Sequence, residues 1–72
     1  MSRLRKISGK ECIKILCNRF GFRIIRQRGS HVVLKKNGIG TVVPNHKVLK
    51  LGTLKGVLEL AKVREEDFVK FL

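Results

Sequence analysis

Two two-residue turn signals, eight residues apart, fix what the middle of this chain can be. Gly29-Ser30 and Asn37-Gly38 are pairs that close tight β-hairpins, because glycine and asparagine tolerate the positive φ such turns need. They separate three runs that read as strands: Phe22–Arg28, His31–Lys36 and Gly40–Val43. Turns this short join only antiparallel neighbours, so the three runs form a meander. Pro44 has no N–H to give to a ladder and stops the third strand.

Helical signals flank the meander. Ser8 and Glu11 make the S-x-x-E pattern of a capping box, and Ile13, Leu16, Cys17 and Phe20 follow at offsets of three, four and seven, a single apolar stripe. Gly21 is placed to end that helix in a left-handed conformation. Residues 45–52 read as a basic loop. Thr53 is the expected N-cap of a second helix with the stripe Leu54, Val57, Leu58 and Ala61. Gly56 inside that helix costs about 1 kcal/mol relative to alanine, which points to a close backbone approach there. Glu65–Leu72 reads as a short last helix with three acids in its first turn, where the helix dipole favours them. Its Phe68, Phe71 and Leu72 are expected to dock on the core.

Helices before and after a meander must share one of its faces, or both stripes stay exposed. The expected fold class is therefore α+β: order α-β-β-β-α with a short extra C-terminal helix, and a three-stranded antiparallel sheet with the helices on one face. A length of 72 residues holds one domain, residues 1–72, near the lower limit at which a core suffices without staples.

Charge narrows the partner. Residues 1–58 carry 14 Lys and Arg against Glu11 alone, while residues 59–72 are slightly acidic, for a net +12. Self-repulsion of this size is costly unless a polyanion relieves it, which argues against a merely solvated basic surface and makes nucleic acid the leading partner class. A membrane surface would favour one long amphipathic helix with basic flanks, whereas these charges spread over several elements. No apolar run reaches the length of a membrane span, and Met-Ser-Arg-Leu-Arg-Lys lacks an apolar signal region, so a cytoplasmic protein is expected. Cys12 and Cys17 are five residues apart on the first helix, badly placed to bridge or to share a metal. Two small buried or half-buried thiols are the expectation.

Alternation along the second strand decides where His31 points. Val32 and Leu34 share a wholly apolar face that should pack on the helices, leaving His31, Val33 and Lys35 on the other. Arg26 and Arg28, or Arg23, should project beside them from the first strand. Cutting RNA without a metal needs a base for the 2′-hydroxyl, an acid for the leaving 5′-oxygen, and positive charge for the phosphorane. Histidine suits either proton-transfer task because it titrates near neutral pH, and Lys and Arg suit the last. A second convincing acid–base residue is missing from the strands. The plain alternative is that His31 is a solvated turn residue, and His46, between Asn45 and Lys47, a solvated loop residue. Two histidines without a suitably placed Cys or carboxylate fall short of a tetrahedral metal site, so no metal and no cofactor are expected. Tyr and Trp are absent and all four Phe fall at expected core positions, so recognition through phosphates and shape is favoured over aromatic stacking.

The ordered strings Gly21-Phe22, Arg26-Gln27-Arg28-Gly29-Ser30-His31, Val43-Pro44-Asn45-His46 and Leu51-Gly52-Thr53-Leu54 resemble the HicA (YcfA-like) mRNA interferase toxins, over about Ile7 to Phe68. Gly-Ser-His alone is modestly specific; the three steps in order are strongly so. The resemblance implies a fold similar to a double-stranded-RNA-binding domain, ribosome-independent RNA cleavage, and a HicB-like antitoxin partner. The family's catalytic histidine matches His31, and its second histidine matches His46. Arg64 departs from the pattern, standing where Ser or Thr often caps the last helix.

Three functions compete: an RNA endonuclease toxin acting on mRNA through His31, a non-catalytic RNA-binding module of the same fold, and an interaction protein whose basic face docks an acidic partner. Under the first two, Arg26, Arg28, Ser30, Lys35, His46, Lys47, Lys50 and Lys55 are the candidate RNA-binding residues. The denser Lys-Lys-x-Ala-Lys pattern usual in true double-stranded-RNA-binding domains is absent near Lys47, Lys50 and Lys55.

Overall fold

The Glu11 backbone N–H donates to the Ser8 hydroxyl at 2.9 Å, and from that cap the chain winds into α1, Gly9–Arg19. The structure, a computed structural model, describes residues 3–72; Met1 and Ser2, part of the segment read for a leader, lie outside the described residues. The order continues β1 (Arg23–Arg28), β2 (His31–Lys36), β3 (Ile39–Pro44), α2 (Leu51–Ala61), α3 (Glu65–Phe68) and a closing 3₁₀ turn, Val69–Phe71. This is the α+β order the turn and stripe signals predict. Among the described residues, no helix is long and apolar enough to cross a membrane.

Both hairpin turns use the expected residues. Gly29 stands at φ +57°, while Asn37 and Gly38 stand at +47° and +82°. A positive φ at the first position alone matches a II′ turn, and at both positions a I′ turn. The sheet order is β1-β2-β3, antiparallel throughout. Val32 opposes Val43 and Leu34 opposes Thr41; all four are buried beneath the helices. Thr41 brings a hydroxyl into that layer, and it donates to the Val57 carbonyl of α2 at 2.8 Å. A buried hydroxyl without such a partner would cost about 1–3 kcal/mol.

Of the predicted α1 stripe, Leu16 is fully buried and the other three residues pack at the edge of the core. Cys12, Ile15 and Leu16 are its buried side chains, while Ile13, Cys17 and Phe20 sit half-buried at the rim. The cause is Gly9. Its N–H donates to the His46 carbonyl at 2.8 Å, and a Cβ on it would collide with the Pro44 carbonyl oxygen. Seating Gly9 against the end of β3 turns the helix so that Gly9, Cys12 and Leu16 face inward. Burial, with the Glu11 charge adding to it, pushes the Cys12 thiol up to about 12; burial also raises Cys17. Both are free thiols. Phe22 is buried but precedes β1 rather than beginning it: its N–H returns to the Leu16 carbonyl at 3.1 Å, closing the turn through Gly21 at φ +77°.

α2 begins earlier than Thr53. The N–H of buried Leu49 donates to the Ile7 carbonyl at 2.7 Å, and the helix follows, with Lys50 as an N-cap that gives no side-chain bond. Residues 51–52 are therefore helix rather than loop, and Thr53 lies inside it. Leu54, Val57, Leu58 and Ala61 are buried as the stripe predicts. Gly56 does not mark a close approach: a Cβ there would meet nothing within 4 Å.

The last segment splits. The acids Glu65, Glu66 and Asp67 fill the first turn of α3, and Phe68 is fully buried. Phe71 is 40% exposed, against the expectation that it docks in the core. Phe68 and Phe20 already fill the space, stacked at 6.3 Å. Phe71 makes a T-shaped contact with Phe20 at 5.7 Å, with the Arg19 guanidinium 5.1 Å from the Phe71 centroid. Arg64 caps α3 through its backbone, and its side chain donates to Asp67 at 3.1 Å.

Candidate functional site

The open face of the sheet carries the candidate site, and register assigns its members. Directly paired residues of antiparallel strands project to the same side. On β2, His31, Val33 and Lys35 lie opposite the buried set Val32 and Leu34. On β3 their partners are Pro44, Val42 and Gly40. On β1 their partners are Arg28, Arg26 and Arg23.

That last set depends on a β-bulge. Strict alternation would send Arg23 and Arg26 to opposite faces. The ladder shifts between Ile24 and Arg26, leaving Ile25 without a partner. A bulge inserts one residue into one strand and resets its faces, so Arg23, Arg26 and Arg28 all reach the open side. From the sequence, Arg23 is an alternative to Arg26 and Arg28; in the structure all three share the face. The doubled isoleucine in Arg23-Ile24-Ile25-Arg26 breaks the alternation and was the available signal.

His31 is exposed, at the end of β2 beside the Gly29-Ser30 turn. Its side chain has no hydrogen-bond or ion-pair partner among the described residues, so its ring is open to an incoming group. The surrounding backbone is held firmly. The Asn45 N–H donates to the Ser30 carbonyl, and the Gly9 N–H holds His46 from the other side. Ser30, half-buried, therefore serves here through its main chain. These bonds bring Arg28, Ser30, His31, Pro44, Asn45 and His46 to one end of the sheet.

The remaining candidates fall elsewhere. Lys47 and Lys50 are exposed on the connection into α2. Lys55 sits on α2, whose helix packs on the covered side, and it lines a surface hollow with Glu59, Arg64, Glu65 and Glu66. It stands beside the acidic corner of the molecule, apart from the open face. The ion pairs also gather at that corner: Arg64 with Glu66 and Asp67, and Lys70 with Asp67. None of these three pairs involves an arginine of the sheet. Among the described residues, no three His, Cys, Asp or Glu side chains group so as to hold a metal ion.

An open cationic face with an unengaged histidine at its rim has the chemistry to hold a phosphodiester and exchange a proton with it. No curated protein and no solved structure matches the chain. Residues 9–63 match the family model described as the HicA toxin of bacterial toxin-antitoxin. That match spans most of the chain, from the glycine that seats α1 to the end of α2, and places the protein in the HicA toxin family of bacterial toxin-antitoxin systems.

Proposed function

We propose that this chain is an mRNA interferase: an RNA endonuclease that acts without the ribosome or a metal and uses His31 as a catalytic residue. The observation that carries the reading is the setting of His31, exposed and without a side-chain partner among the described residues, directly opposite Arg28 and on the same face as Arg23, Arg26 and Lys35. In the reaction, the 2′-oxygen forms a bond to phosphorus and the bond from phosphorus to the 5′-oxygen breaks. One proton leaves the 2′-hydroxyl and one is gained by the departing 5′-oxygen. His31 carries one of these transfers, and Arg28 with its neighbours stabilises the charge on the phosphorane. His46, brought to the same end of the sheet by the Asn45 and Gly9 hydrogen bonds, joins Ser30, Lys47 and Lys50 as a contact for RNA beyond the scissile linkage.

A HicB-like antitoxin is the expected partner. A domain with an open site is silenced most simply by a surface that covers His31 and neutralises the arginines beside it, and opposite charge speeds that association.

The experiment is incubation of purified protein with single-stranded RNA in the presence of a chelator, with analysis of the product ends. Fragments ending in 2′,3′-cyclic phosphate and beginning with 5′-hydroxyl are expected. Tight binding without fragments would instead favour the non-catalytic RNA-binding module.

A further inference from the structure

The open face is divided lengthwise. Its β1 side is cationic, with Arg28, Arg26 and Arg23 in a row, and Lys35 opposite Arg23. Its β3 side carries no charge: Pro44, Val42 and Gly40, with Val33 between the two halves. Val42 is 39% exposed, although it is a large apolar side chain on a sheet surface. Same-face positions along a strand recur every ~7 Å, twice the rise per residue. The bulge keeps that interval for the arginines, since Arg26 to Arg23 spans the same two ladder steps as Val33 to Lys35.

A row of evenly spaced cations beside an apolar strip fits a single nucleic-acid strand better than a duplex. A duplex presents phosphates and hides its base faces, whereas a single strand can offer phosphates to one lane and bases to the other. We propose that one RNA strand lies along this face with successive phosphates on Arg28, Arg26 and Arg23 and its bases over Val33 and Val42, the bulge at Ile25 being what makes Arg23 the third phosphate contact. The proposal rests on the RNA-cutting reading and adds to it the path of the strand and two residues, Arg23 and Val42. With no aromatic ring in the apolar lane, base contacts give van der Waals area without strong sequence choice.

Binding is read in the His31→Ala background, which holds RNA without cutting it, using a labelled single-stranded oligoribonucleotide over a range of salt concentrations. Each phosphate contact on a single strand contributes about 0.7 to the slope of log affinity against log salt. Arg23→Ala and Arg26→Ala should each lower the slope by about that amount. Val42→Ser should weaken affinity several-fold with the slope unchanged, and a duplex of equal length should bind more weakly than the single strand. Deleting Ile25 removes the bulge but leaves Arg23 two ladder steps from Arg26 and opposite Lys35, so the deletion, like Ile25→Ala, should keep the parent slope. If the deletion does not fold, as judged by its thermal midpoint, the comparison of Arg23→Ala with Arg26→Ala decides alone. An unchanged slope in Arg23→Ala beside a lowered one in Arg26→Ala overturns the proposal, as does tighter binding of the duplex; both leave the nuclease reading standing. Absence of cleavage by the unmodified protein strikes the nuclease reading itself, and RNA binding indifferent to all three arginines gives the face to the protein partner.

Discussion

Gly9 is the residue whose identity the packing specifies most narrowly. It sits in the first turn of α1 with its Cα against the Pro44 carbonyl, where any side chain would collide. Overpacking against backbone costs about 1–3 kcal/mol, so Gly9→Ala should lose stability in that range by denaturant unfolding. Because the same glycine ties down the His46 carbonyl, RNA affinity should fall with it. Nothing in the local sequence announces this role. A glycine after a capping serine reads as an ordinary early helix position, and the closeness of Pro44 exists only once β3 and α1 have met. His31 was legible for the opposite reason: its face follows from alternation with Val32 and Leu34, a local property. Cys12 lies between these cases. Its burial depends on the rotation that Gly9 imposes, so periodicity alone points to the stripe starting at Ile13, one position away.

Elements formed where short-range chemistry was sufficient. The two hairpins follow from turn residues alone, and the α2 stripe lies on the buried side at all four predicted positions. The start of α2 was misplaced because its anchor, Leu49 bonded to Ile7, is a contact across the molecule. Gly56 illustrates the converse error, a glycine read as a close approach that faces open space. Since no contact requires it, Gly56→Ala should stabilise the protein by about 0.5–1 kcal/mol through helix propensity and unfolded-state entropy. A thermal midpoint that stays put or falls would show that α2 needs the freedom glycine gives. β1 is the most exposed of the three strands. All six of its residues are exposed, with Ile24 and Ile25 at 58% and 54%, because the helices lie over β2 and β3. The bulge at Ile25 on this strand decides which arginines share a face with His31.

The whole molecule separates its charges. The arginines of the sheet face one way, while the acids of α3 gather their own partners, Arg64 and Lys70, at another corner. For a toxin of this family, a basic face carrying the candidate histidine makes occlusion the simplest form of control. RNA and antitoxin should then exclude each other. With labelled RNA held by the His31→Ala protein, added antitoxin should release it stoichiometrically; a stable ternary complex would mean that inhibition acts from elsewhere on the fold. Order and family were readable in the sequence because turns, stripes and the Gly-Ser-His, Val-Pro-Asn-His and Gly-Thr-Leu steps are linear features. A second acid–base group to accompany His31 in the proposed reaction is not readable there, since it would depend on side chains converging at the end of the sheet. The most direct measurement is RNA cleavage by His31→Ala together with its thermal midpoint. The side chain is exposed and makes no contact in the core, so stability should change by less than about 0.5 kcal/mol while cleavage is lost. A variant that still cuts RNA at the normal rate would contradict the account.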